Sequence, residues 1–126
     1  MSHTLYSIVE SPVHPNFSML YRNLGLSERR FNSMRKAISG LRQAVPDWVV
    51  AEFFYGYGNN YAGINLSNLD VFLRSLQKYA PAAKVVVLVD KAERVYVDRL
   101  AELFPLHAVL IHPVLEQDLA AILVSA

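Results

Sequence analysis

Cysteine is absent from this chain of 126 residues, which excludes disulfide bonds, cysteine-ligated zinc and a cysteine nucleophile. Long apolar runs are absent too, because stretches such as residues 85–89 are far too short to span a bilayer. The first residues, MSHTLYSIVES, lack the basic start and apolar core of a secretion signal. These absences predict a cytoplasmic location without a membrane partner. The net charge of +1 gives no reason to expect direct binding of nucleic acid.

Signatures of catalysis and of cofactor binding are also missing. The segment YGYGNN lacks the Gly-Lys-Ser/Thr ending of a phosphate-binding loop. The chain contains no Gly-x-Ser-x-Gly nucleophile motif. His3, His14 and His107 are isolated in the sequence, which favours surface or core roles over metal ligation. We therefore expect no enzyme, no cofactor and no bound metal.

The composition is that of a globular protein, with 53% hydrophobic and 18% charged residues. The length predicts one domain over residues 1–126. Half of the Lys and Arg residues lie between positions 22 and 42, where Glu28 is the only acid. Between positions 93 and 118 the acids exceed the bases by five to two. These charges form either solvated helix faces or a basic docking surface beside an acidic one.

Apolar strands alternate with amphipathic helices along the chain, which predicts a parallel sheet covered by helices on both faces. The predicted strands are residues 5–9, 29–33, 48–54, 84–90 and 107–111, of which 29–33 is a weak edge strand. The predicted helices are residues 16–24, 34–44, 69–80, 92–104 and 114–125. Between positions 55 and 68 lies a segment rich in Gly, Asn and Tyr that has no periodicity.

Several stretches resemble the receiver domain of two-component response regulators. PDWVVAE is similar to the segment that leads to the phosphoacceptor Asp, and it has Glu52 in that place. FLRSLQKYAPAAKVVVLV follows the next helix and strand of the family and has Val89 at the hydroxyl position. AVLIHP has His112 at the conserved lysine position, followed by Pro113, for which the resemblance implies a cis peptide. The resemblance implies a flavodoxin-like doubly wound sheet of five parallel strands in the order 2-1-3-4-5.

The departures from this family concern its chemistry. Phosphorylation of a receiver needs an Asp nucleophile, an acidic pair for magnesium, a hydroxyl and an ammonium group. SIVES gives only one acid, Glu10, beside Ser11, and the aromatic switch position holds Val109. The five departures are Ser11, Glu52, Val89, Val109 and His112. Together they predict that aspartyl phosphorylation and its hydroxyl–aromatic relay are lost.

The meaning of Glu52 and of the segment after it stays open at this stage. Glu52 at the end of the central strand either mimics a phosphorylated Asp or is a relic acid on a polar rim, solvated or paired with His112. The segment with Tyr55, Tyr57 and Tyr61 is either a binding loop or a loop folded over an inactive pocket.

Two functions from different classes fit these observations, and a residual enzyme is a weaker third. The first is a phosphorylation-independent receiver-like domain, free-standing or the input module of a longer regulator, that contacts a protein partner or an output domain. A weak homodimer would use the fourth helix, last strand and last helix, with Tyr96, Val97 and Ala120 as candidates for its apolar centre. The alternative is a small-molecule or metal-binding module under the Tyr-rich loop. Its ligands would be Glu10, Glu52, Asp90 and His112.

Overall fold

Five strands alternate with five helices in the computed structural model, which describes residues 3–9, 16–55 and 67–124. The strands are β1 (His3–Ile8), β2 (Leu26–Phe31), β3 (Trp48–Glu52), β4 (Lys84–Val89) and β5 (Ala108–Ile111). The helices are α1 (Ser18–Asn23), α2 (Met34–Gly40), α3 (Asp70–Tyr79), α4 (Arg94–Leu103) and α5 (Glu116–Val124). A short 3-10 turn, Lys91–Glu93, precedes α4. None of the helices within these ranges is long and apolar enough to cross a membrane.

The sheet is parallel throughout and has the order β2-β1-β3-β4-β5, so the predicted order is confirmed. The central strand β3 lies between β1 and β4, and all five of its residues are buried. A strand of this kind has no solvent-facing side, which is why its sequence lacks the alternation of apolar and polar residues.

The two faces of the sheet carry separate apolar clusters. Tyr6, Val49 and Val87 face α2, α3 and α4, and the cluster on that face is completed by side chains such as Phe72 and Leu100. On the opposite face a second cluster, which includes Leu5, Val50, Val86 and Leu88, packs against α1 and α5. Burying one such side chain contributes about 1.5–3 kcal/mol, so these two layers hold the strand ends in place.

The first half of the chain differs from the prediction at its element ends. The edge strand begins at Leu26, not at residue 29, because Gly25 adopts φ 78° and turns the chain from α1 straight into β2. Helix α2 ends at Gly40 and continues only as a turn. The prediction for β3 was also too long by two residues, since the strand ends at Glu52.

Candidate functional site

The carboxyl ends of β3, β4 and β5 meet at one edge of the sheet, where doubly wound folds place their ligands. Glu52 is the last residue of β3, as predicted, and only 2% of it is exposed. The interpretation that its carboxylate stays solvated is therefore wrong. Asp90 follows β4 and is exposed, and His112 follows β5 and is half-buried.

Asn68 forms hydrogen bonds to the end of β3 and to the residues that follow it. Its side-chain NH2 donates to the carbonyl oxygen of Glu52 at 2.9 Å, and its side-chain oxygen accepts from the Phe54 N–H at 2.7 Å. The Asn68 backbone N–H donates to the Phe54 carbonyl at 3.2 Å. One buried amide thus satisfies backbone groups that have left the ladder between strands, and it fixes the chain beside Glu52.

The side chains of Ser67 and Asp70 bind each other at the start of α3. The Asp70 carboxylate accepts from the Ser67 N–H at 2.7 Å and from the Ser67 hydroxyl at 2.8 Å. The Ser67 hydroxyl accepts from the Leu69 N–H at 3.1 Å. This reciprocal arrangement satisfies donors at a helix start and places a carboxylate at the positive end of the helix dipole. The spacing Ser-x-x-Asp in SNLD is a sequence signal for it that the sequence analysis missed.

Tyr55 anchors the other end of the loop on α4. Its ring stacks on that of Tyr96 with centroids 3.7 Å apart and planes 15° apart. Its backbone N–H donates to the Glu93 carboxylate at 3.1 Å, and it forms an isolated antiparallel bridge with Ser67. The start and end of the loop are therefore held together beside α4. The predicted binding residues Tyr57 and Tyr61 lie outside the described residues.

The remaining positions that resemble a receiver site are apolar or only partly exposed. Val89 is fully buried at the end of β4, and Val109 is half-buried against the core. The His112 backbone N–H donates to the Val89 carbonyl at 2.9 Å, and the His112–Pro113 peptide is cis, which is the geometry that the resemblance implied. Glu10 and Ser11 lie outside the described residues.

The hypothesis of a metal site finds no support in residues 3–9, 16–55 and 67–124, which hold no group of three or more His, Asp or Glu side chains suited to a metal. Glu10, one of its four ligands, is outside those ranges. A cavity of about 520 Å³ lies at the opposite edge of the sheet, lined by residues such as His3, Asp47, Trp48 and Lys84. It is therefore separate from the strand ends that carry Glu52 and His112.

A half-buried carboxylate, which the sequence analysis did not single out, lies on the α1 face of the sheet. Glu28 of β2 accepts from the Ser7 hydroxyl at 2.5 Å and from the Ser18 hydroxyl at 2.6 Å. The serine within the apolar strand β1 was the available signal, because a hydroxyl at a buried position needs a partner. Nearby, burial chiefly and then the charge of Glu28 raise the pKa of Tyr21 well above its ordinary value.

No protein-family model matches this chain, and no curated protein matches it in sequence. Solved structures do match it in fold. The chain has the CheY-like, flavodoxin-like fold. A CheY-like receiver domain protein from Methanospirillum hungatei JF-1 is similar with a TM-score of 0.76 and 8% identity, over 99% of this chain and 93% of the other. Chemotaxis protein CheY4 from Vibrio cholerae is similar with a TM-score of 0.74 and 11% identity, over 99% of this chain and 98% of the other.

A response regulator receiver domain protein from Clostridium thermocellum is similar at 19% identity with a TM-score of 0.72, over 98% of this chain and 92% of the other. At these identities the likeness shows the fold, and the chemistry has to be argued from the side chains of this chain.

Proposed function

We propose that residues 1–126 form a single cytoplasmic, non-enzymatic receiver-like domain that acts in signal transduction through protein contacts without being phosphorylated. The receiver fold supports a signalling role, and the burial of Glu52 carries the rest of the proposal. A carboxylate that is 2% exposed offers a phosphoryl donor no approach for the in-line attack that phosphoryl transfer requires.

The neighbours of Glu52 support the same proposal. A receiver clamps its phosphoryl group with a hydroxyl and an ammonium, and the matching positions here hold Val89 and His112. Val89 is fully buried and has no group that donates a hydrogen bond from its side chain. Asn68 and Tyr55 hold the chain closely around the end of β3, which favours a covered site over an open one.

A phosphorylation assay tests this proposal. The full chain is incubated with acetyl phosphate and magnesium, and its intact mass is measured beside that of a phosphorylatable receiver domain. We expect no phosphoryl adduct on this chain and a clear adduct on the control. Glu52→Asp should stay unlabelled as well, because Val89 and His112 remain. A stoichiometric, alkali-labile adduct that disappears in Glu52→Gln would contradict the proposal.

The contact surface that we propose is the face formed by α4, β5 and α5. Val97 is buried at 1% exposure, so its candidacy for the apolar centre is wrong, and Tyr96 is partly covered by Tyr55. Other apolar side chains on these elements are exposed: Val95 at 63%, Ile111 at 42% and Leu115 at 53%. They lie where α4 begins, β5 ends and α5 begins, which is the same edge of the sheet. An apolar centre with a charged rim is the usual anatomy of such contacts.

Charge reversal tests the homodimer version of this contact. Acids and arginines alternate along α4, and a two-fold interface requires such a self-complementary surface. We expect Arg99→Glu to weaken self-association in sedimentation velocity, and Arg35→Glu on α2 to leave it unchanged. A strict monomer at high concentration would eliminate the dimer. If changing Tyr57 or Tyr61 abolishes self-association and Arg99→Glu does not affect it, the contact lies on the loop instead.

A further inference from the structure

An open groove of about 470 Å³ runs between the edge strand β2 and helix α2. Arg29 and Phe31 come from the strand, and the others come from the helix or its flanks. The lining residues are Arg29, Phe31, Ser33, Arg35, Lys36, Ser39, Gly40 and Gln43. A groove of this volume has the size of a site for a small molecule.

The groove collects positive charge. Arg29, Arg35 and Lys36 line it, and no Asp or Glu is among the described residues that line it. The alternation of β2 explains this, because Glu28 points to the opposite face, where it binds Ser7 and Ser18. Within the described ranges, none of the three cations is within 4.0 Å of a carboxylate. Like charges gathered without a counterion raise the local potential and attract an anion.

The floor of the groove is shaped by a close packing that only glycine permits. A Cβ at Gly40 would lie 2.9 Å from Cζ of Phe31, so the missing side chain lets the ring pack against α2. The Phe31 ring is in turn supported by Tyr6, with centroids 4.8 Å apart. This packing sets the spacing between Arg29 on the strand and the two cations on the helix.

We propose that this groove binds a small molecule that bears a diphosphate group. Two arginine forks and one ammonium match several phosphoryl oxygens at once. The hydroxyls of Ser33 and Ser39 and the amide of Gln43 add neutral donors. The Ser33 hydroxyl accepts from the Lys36 N–H at 3.2 Å, so its own proton is left to donate.

The alternatives for this groove are a nucleic acid or an acidic peptide, and its size and charges favour neither. A nucleic acid needs an extended basic stripe. Three other basic residues between positions 22 and 42 do not line the groove: Arg22, Arg30 and Arg42. An acidic peptide presents carboxylates spread along an extended chain, whereas the cations here come from two adjacent elements and line one groove.

Calorimetric titration of the full chain with inorganic pyrophosphate at low ionic strength tests the proposal. We expect saturable binding that weakens as salt is added, because the contact is between exposed charges. Arg29→Ala and Arg35→Ala should each lower the affinity about tenfold or more, since each removes a charge-assisted hydrogen bond. Arg35→Lys should lower it less, because the charge stays and the fork is lost. Arg22→Ala, which changes an exposed arginine of α1 that does not line the groove, is the matched control and should leave the affinity unchanged.

Three results would overturn the proposal. The first is no saturable binding of pyrophosphate at low ionic strength. The second is an equal loss of affinity in Arg22→Ala and Arg35→Ala. The third is displacement of pyrophosphate by an oligoglutamate peptide at lower concentration than by a second phosphate ligand, which would assign the groove to a protein segment. Far-UV circular dichroism and urea unfolding check that each variant is folded, and Arg35, which is exposed, remains informative if half-buried Arg29 does not tolerate alanine.

Discussion

The hydrogen bonds of Asn68 make a quantitative prediction about how the end of β3 is held. Asn68→Ala removes the donor to the Glu52 carbonyl at 2.9 Å and the acceptor of the Phe54 N–H at 2.7 Å. Each such bond contributes a net of about 1 kcal/mol, and a buried partner left unsatisfied costs somewhat more. The free energy of unfolding should therefore fall by about 2–3 kcal/mol, which lowers the melting temperature by roughly 8–12 °C.

Urea unfolding followed by circular dichroism measures this loss directly, with Asn32→Ala as the matched control because that asparagine is exposed. The control should stay within about 0.5 kcal/mol of the unchanged chain. If Asn68→Ala also stays within that range, the amide does not secure the end of β3, and the account of the covered site at Glu52 loses its main support.

Three further predictions concern α1 and the turn that follows it. Gly25→Ala should lower the free energy of unfolding by about 1–2 kcal/mol in urea unfolding, because an alanine with φ 78° is conformationally strained. No atom lies within 4 Å of the added Cβ, so the cost does not come from a clash. An unchanged midpoint would contradict this prediction. Tyr21→Phe should raise stability by about 1 kcal/mol, because the buried hydroxyl makes no hydrogen bond to any residue in the described ranges. Burial also raises the Tyr21 pKa above 10.0, so the folded state holds this proton more tightly than the unfolded chain. The stability that comes from this tighter proton binding is fully present below pH 10.0, the unfolded pKa, and is lost as the pH rises above it. The loss of stability at high pH should therefore be smaller in Tyr21→Phe. An equal loss in both proteins would exclude Tyr21 as its source.

The central strands were predictable from the sequence because their physical requirements are strict. β3 and β4 are buried on both faces, and a β-branched apolar run such as KVVVLV is typical of a strand in a parallel sheet that helices cover on both sides. The edge strand was harder to place, since LSERRF is polar and is held mainly by its pairing with β1 over six residues. Its start depends on the positive φ of Gly25, which the sequence alone does not specify.

The candidate site was predictable in position but not in its contacts. That Glu52 lies at the carboxyl end of the central strand followed from the resemblance, whereas the apolar run predicted a strand that continued to Phe54. The contact of Glu52 with Asn68 did not follow from either, because Asn68 lies 16 residues away along the chain and no local pattern pairs the two residues. The bonds of Ser7 and Ser18 to Glu28 also join residues 21 and 10 positions apart, and only the fold brings them together.

The contacts of Tyr55 connect the covered site to the proposed interface. Its ring stacks on Tyr96 of α4, and its N–H binds Glu93 at the start of that helix. The same helix carries Val95 and Arg99 of the proposed contact face. A partner that moves the start of α4 would therefore also move Tyr55, which lies three residues after Glu52. We propose that this physical connection allows a binding event on the surface to reach the end of β3 without any chemistry at Glu52.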